Sequence, residues 1–230
     1  MTARGVFIAG TDTGIGKTHV VCTLLRALRA KGLRATGMKP VASGCERTPD
    51  GLRNDDALAL IAASDPAPDY ANCNPSAFAE AVSPHLAAAM ENAEITMTPI
   101  AEAYAQLCAQ AKIVIVEGVG GWLAPLSESL NANAIPQALR LPVILVVGLR
   151  LGCLNHAQLS ARAILADDCE LLGWIGNRID PEMAMVEENL ETLRRLLTVP
   201  CLGVLEHGAD PARSAAALHP AITALTGISA

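Results

Sequence analysis

Residues 8–18 read Ile8-Ala9-Gly10-Thr11-Asp12-Thr13-Gly14-Ile15-Gly16-Lys17-Thr18, one residue longer than the common phosphate-binding loop G-x-x-x-x-G-K-[ST]. Position 11, where that pattern needs glycine, is Thr. What flanks the loop decides how it is read. Before it, Gly5-Val6-Phe7-Ile8-Ala9-Gly10 is a short apolar run ending at glycine, the pattern of a strand buried on both faces. After it, apolar residues at 20, 21, 24, 25 and 28 recur with helical spacing from Lys17 to Ala30, and Lys31-Gly32 supplies a stop. Strand, loop and helix therefore follow in the order that a phosphate loop requires. Glycines 14 and 16 let backbone N–H groups turn inward around phosphate oxygens, helped by about half an elementary charge at the helix amino terminus. Lys17 can reach the outer phosphates and Thr18 can place its hydroxyl on Mg²⁺. The competing reading is a glycine-rich turn with an incidental lysine, and the flanking pattern favours the nucleotide.

The same alternation continues along the chain. A second strand is expected from Ala35 to Val41, and Asn54-Asp55-Asp56 resembles the capped start of a helix through Ala63. Residues 64–82, with Pro66, Pro68 and Pro75, read as irregular. Helices are expected near 84–93 and 98–111, strands at 112–118 and 142–148, a helix at about 154–167, a strand at 171–177, a helix at 183–197, a strand at 201–205 and a partly helical tail. Strands alternating with helices predict an α/β fold: a doubly wound, mainly parallel sheet with helices on both faces, of the P-loop NTPase type. Without internal repeat, low-complexity tract or linker, residues 1–230 are expected to form one domain.

Composition narrows the class. Hydrophobic residues make up 51% but aromatics only 3%, so Ala, Leu, Val and Ile must supply the core. The net charge of −6 and the scattered Lys and Arg mark no nucleic-acid or anionic-membrane surface, so small-molecule partners are expected, with no nucleic acid and no membrane. In MTARGVFIAGTD a polar loop arrives before a signal-peptide core could form, and cytoplasmic localisation is expected. Seven cysteines without a C-x-x-C pair read as reduced thiols, and five dispersed histidines give no helical zinc pair.

In a sheet of this kind ligands bind beyond the carboxyl ends of the strands, where the unusual polar residues fall. Glu117 closes an apolar strand, and a charge there is costly unless paired; Mg²⁺, a helix cap or a salt bridge would each serve. Asp55 and Asp56 are either metal ligands or acids that complement the helix dipole. Lys39, at the end of strand two, lies near the phosphates or is merely exposed.

With GMKPVASG at 37–44, GLRNDDALAL at 51–60, VEGVGGW at 116–122, PVILVVGLRLGCLNHA at 142–157 and GWIGNR at 173–178, the chain resembles the dethiobiotin synthetases over nearly its whole length. The resemblance implies a homodimer that uses ATP, Mg²⁺ and CO₂ to close the ureido ring of dethiobiotin across the two amines of 7,8-diaminononanoate, a step of biotin biosynthesis. A carbamate and a carbamic-phosphoric mixed anhydride would be intermediates, with ADP and phosphate released. On the matching positions, Gly14, Ile15, Gly16, Lys17 and Thr18 would hold the phosphates. Asp56, Glu117, Gly118, Val119, Gly120 and Asn177 would complete the nucleotide site, with Asn177 at the adenine edge. Thr18, Asp56 and Glu117 would bind Mg²⁺, and Lys39 and Lys17 would be catalytic. Thr13 and Ser43 would contact the substrate, while Gly152, Cys153, Leu154 and Asn155 would take its carboxylate across the dimer interface. Two departures are visible: Glu206-His207 stands where the family often has a Pro–aromatic pair, and Asn189 lies near the place of a partner-subunit tyrosine.

Two other classes share such loops. Partition-type ATPase switches carry a second lysine near the loop start, and Thr11-Asp12-Thr13-Gly14 has none. An amidotransferase-like synthetase is the other alternative, and KPVASG with LGCLNH weighs against it.

Overall fold

The apolar run at 6–9 is divided between two cores: Val6 and Ile8 point to one side, Phe7 and Ala9 to the other, and all four are buried. This is the burial of a central strand in a sheet covered on both faces. The computed structural model describes residues 4–227, so the three residues at each end of the expected 1–230 domain lie outside the described residues. Along the chain run β1 (Arg4–Gly10), α1 (Lys17–Ala30), β2 (Ala35–Met38), β3 (Val41–Ala42), β4 (Glu46–Thr48), β5 (Gly51–Arg53), α2 (Asp55–Ala63), α3 (Tyr70–Cys73), β6 (Ser76–Ala77) and α4 (Pro84–Met90). There follow α5 (Met97–Gln110), β7 (Ile113–Glu117), α6 (Ala134–Leu139), β8 (Val143–Gly148), α7 (Cys153–Ala166), β9 (Leu171–Asn177), α8 (Val186–Leu196), β10 (Cys201–Leu205), α9 (Pro211–Ala217) and α10 (His219–Gly227).

Six strands form one parallel sheet in the order β10-β9-β8-β1-β7-β2. The chain first travels outward past β7 to β2, then returns to β7 and crosses to β8, so the direction of winding reverses at β1. That reversal opens a crevice at the carboxyl ends of β1, β7 and β8, where a doubly wound sheet places its ligand. One face is covered by α1, α2 and α10, the other by α5, α7 and α8. No helix among the described residues is long and apolar enough to cross a membrane. All seven cysteines are free, and Cys22, Cys45, Cys73, Cys153 and Cys169 are buried.

The expected second strand, 35–41, stops at Met38. Proline 40 has no N–H for the ladder, Lys39 N turns away to donate to Cys73 O at 2.7 Å, and Val41-Ala42 pairs instead with Ser76-Ala77. The segment 64–82 is less irregular than expected, since it contains α3 and β6. The hairpin β4–β5 and helix α6 were not expected at all; both are short, and neither shows an apolar period. The helix expected from 183 begins at Val186, because Met185 adopts a left-handed φ of 54°.

Candidate functional site

The phosphate loop takes the shape its glycines allow. Gly14 and Gly16 have φ of 71° and 81°, a region open to glycine at little cost. Gly16 is also the residue before α1, no side chain caps that helix, and its first turn holds no acid. The first amides of α1 therefore face outward as donors, which suits an anion. Ile15 is buried in the core beneath the loop, so only its backbone serves the site. Its carbonyl accepts a hydrogen bond from Asn177 Nδ2 at 2.9 Å. Lys17 folds back over the loop, donating to Asp12 O at 2.9 Å and to Gly120 O at 2.7 Å.

Beside the loop, four side chains from two strand ends and two helix starts converge. Lys39 Nζ lies 2.5 Å from Glu117 Oε1 and 3.0 Å from Asp56 Oδ2. Thr18 Oγ1 donates to the same Glu117 Oε1 at 2.8 Å. Lys39 is thus not an exposed strand-terminal lysine: it is 5% exposed, and Glu117 is 1% exposed. Burial opposes charge on Lys39, yet Glu117 and Asp56 outweigh it and raise its pKa. For Asp56 burial works the other way, and Lys39 overcomes it to lower the pKa. Lys17 has no such direct partner, and burial, followed by the charge of Lys39, lowers its pKa to about 8. Asp56 owes its place to Asn54, which caps α2 by accepting from Ala57 N at 3.2 Å; neither Asp55 nor Asp56 is the cap.

These groups line a cavity of about 720 Å³, within the usual size for a small-molecule site. Thr13, Gly14, Gly16, Lys17, Thr18, Lys39, Ser43, Asp56, Glu117, Val119 and Gly120 all border it. Gly118 does not; a Cβ there would sit 2.7 Å from the Phe7 ring, so it serves close packing behind the wall. Asn177 stands behind the loop and holds it. Gly152, Cys153, Leu154 and Asn155 do not border the cavity, and the Cys153 side chain lies in the core. After β10, Glu206 pairs with Arg178 at 3.1 Å and the His207 ring lies against the Arg178 carbonyl, so both are tied to the end of β9. Asn189 bonds back to its own helix at Met185 O.

Sequence reasoning missed several contributors. Asn74 fixes the Lys39 carbonyl from α3's end, at 2.7 Å. Arg150 binds the Asp12 carboxylate, linking the phosphate loop to the entry of α7. Ala81, Val82, Ser83 and Pro84 form one wall. Arg150 lies inside a quoted motif, but only folding shows its partner; the wall falls in a segment that carried no periodic signal.

The donor set fits Mg²⁺ with a nucleotide. Mg²⁺ takes one or two carboxylates and fills its octahedron with water and phosphate oxygens; Asp56, Glu117 and the Thr18 hydroxyl converge on one spot. Glu117 Oε2 is buried and has no hydrogen-bond partner among the described residues, an acceptor that a cation would satisfy. Among the described residues there is no group of three or more His, Cys, Asp or Glu that could hold a metal, so water and phosphate oxygens would have to complete the shell.

A family model described as an AAA domain matches residues 4–213. The ATP-dependent dethiobiotin synthetase BioD of Xanthomonas euvesicatoria pv. vesicatoria (strain 85-10) is 57% identical over 211 residues, 91% of this chain and 94% of that protein. The protein of the same name from Xylella fastidiosa (strain 9a5c) is 53% identical over 223 residues, 96% and 99% of the two chains. The chain belongs to the dethiobiotin synthetase family. It is therefore an ATP-dependent carbon–nitrogen ligase that uses Mg-ATP to close the ureido ring. Among solved structures, the MinC:MinD cell division protein complex of Aquifex aeolicus superimposes with a TM-score of 0.60 at 15% identity, over 99% of this chain and 98% of that one. Cobyrinic acid a,c-diamide synthase from Mycobacterium smegmatis, with bound ADP and magnesium, gives 0.57 at 17% identity over 97% and 94%. At such identities these similarities speak for the fold, so a dethiobiotin synthetase shares its sheet with proteins of other activities.

Proposed function

We propose that ring closure takes place in this cavity, in the cytoplasm and within a homodimer, on 7,8-diaminononanoate, CO₂ and ATP. The observation that carries the reading is the convergence of Lys17, Thr18, Lys39, Asp56 and Glu117 on one wall beside a phosphate loop. The backbone of residues 14–18 and Lys17 hold the triphosphate. Thr18, Asp56 and Glu117 hold Mg²⁺, which supplies charge neutralisation on the phosphates when bound. Lys39, with Ser43 and Thr13 nearby on the cavity wall, faces the carbamate made when CO₂ adds to one amine. As a carbamate oxygen attacks the γ-phosphate and ADP leaves with the electrons of the β–γ P–O bond, negative charge gathers between them, and the ammonium groups of Lys39 and Lys17 stabilise it. The second amine then attacks the mixed anhydride, its C–N bond forms as the nitrogen loses a proton to solvent, and phosphate leaves with the C–O bond electrons.

Gly152, Cys153, Leu154 and Asn155 enter this reading as the seat of the substrate carboxylate in the neighbouring subunit's site. That they do not line the cavity of their own chain supports it. So does Leu151, which is 94% exposed at the same turn and offers an apolar contact to a second copy. Asn177 then has two tasks, holding the loop through Nδ2 and offering Oδ1 to an amino group of the base. Replacing Lys39 by Ala should lower kcat by about 10²-fold or more with the far-ultraviolet dichroism retained; an unchanged kcat removes Lys39 from the mechanism.

A further inference from the structure

We propose that Lys39 is the resident counter-ion of Asp56 and Glu117, and that a divalent cation enters by displacing its ammonium, which then swings into the cavity. The inference rests on the metal set proposed above and assigns it an exchange step. Glu117 Oε1 receives both Lys39 Nζ at 2.5 Å and Thr18 Oγ1 at 2.8 Å, and Asp56 Oδ2 receives Lys39 at 3.0 Å. Mg²⁺ sits about 2.0–2.1 Å from its oxygen ligands, so a metal held by these two carboxylates claims the space and the charge that the ammonium now has. Two cations cannot share a pocket of that size without strong repulsion.

The surroundings decide which part yields. The Lys39 backbone is fixed at both ends, by Lys39 N to Cys73 O and by Asn74 Nδ2 to Lys39 O, each at 2.7 Å. Only the side chain is free to move, and it already borders the cavity that Ser43 and Thr13 also line. Lys17 cannot act as the counter-ion in its place, because its ammonium is held by the carbonyls of Asp12 and Gly120. The exchange therefore delivers a positive charge to the substrate side only when the metal is in place, and it weakens binding of metal alone.

The test is Mn²⁺ binding followed by electron paramagnetic resonance, without nucleotide and at one neutral pH. Lys39→Met, which removes the ammonium but keeps most of the volume, should bind Mn²⁺ on the order of tenfold tighter than the wild type. Lys39→Arg, which keeps the charge, should show no tightening, and Glu117→Gln should lose binding. If Glu117→Gln binds as the wild type does, the metal set itself is wrong. If it loses binding while Lys39→Met binds no tighter, the metal set stands and the exchange is overturned. A wild-type measurement guards against a variant that fails to fold: reductive methylation read by mass spectrometry should label Lys39 several-fold more with saturating Mg²⁺ than without. Equal labelling overturns the exchange.

Discussion

Substituting Gly16 by Ala perturbs the phosphate loop at the point where its geometry is most constrained. Gly16 has φ 81° and ψ 33°, a left-handed conformation that costs an L-residue about 1–2 kcal/mol. An added Cβ would also lie 2.2 Å from Asn177 Nδ2, the donor to the Ile15 carbonyl. The amide must move away, and a buried acceptor left without its donor costs about 1–3 kcal/mol. Gly16→Ala should therefore lose about 2–5 kcal/mol. Asn177→Ala alone loses the hydrogen bond without the backbone strain, about 1–3 kcal/mol. In the double variant there is no amide to displace, so only the strain and the single unsatisfied carbonyl remain, and it should be no less stable than Gly16→Ala. Urea unfolding of all four proteins, with the slope checked for constancy, measures the coupling. Additive losses would show that Asn177 does not hold the loop.

The pKa of Lys17 and the cap at Asn54 give two further outcomes. Lys17 is held at about 8 by burial and by the charge of Lys39, and bound phosphates must raise that value. Nucleotide binding then takes up a proton: affinity is full below pH 8 and falls by about tenfold per unit as pH rises beyond it. Titration calorimetry in two buffers of different ionisation enthalpy reads the uptake, and an affinity unchanged from one unit below to one unit above that pKa contradicts it. Asn54→Ala removes the α2 cap and should cost about 1 kcal/mol in urea unfolding, with a raised KM for Mg-ATP because Asp56 rides on the first turn; an unaltered KM separates the cap from the site.

Strands buried on both faces were legible as apolar runs, because nothing but a covered parallel sheet buries Val6 to Ala9 or Val143 to Gly148 so completely. The loop and its helix were legible because glycine positions and apolar period agree there. The shift of β2 was not, since Pro40 acts only once Asn74 and Cys73 stand ready to take the Lys39 backbone. Glu117 showed as a charge out of place in an apolar strand, and its need for a partner was clear. Which partner it has in the fold was not, because Lys39 and Asp56 lie 78 and 61 positions away and only the sheet brings them together. Arg150 and the wall at 81–84 were hidden for the same reason: their roles come from contacts rather than from pattern.

Ring closure as proposed here installs one carbon from CO₂ between two amines at the expense of ATP. Incubation with ATP, Mg²⁺, ¹³C-labelled bicarbonate and 7,8-diaminononanoate, followed by mass spectrometry and phosphate determination, tests it directly. The expected product carries one labelled ureido carbon, forms in equal amount with phosphate and is absent when the diamine, bicarbonate or Mg²⁺ is left out. Phosphate released at the same rate without the diamine, and no label in any diamine-derived product, would contradict it.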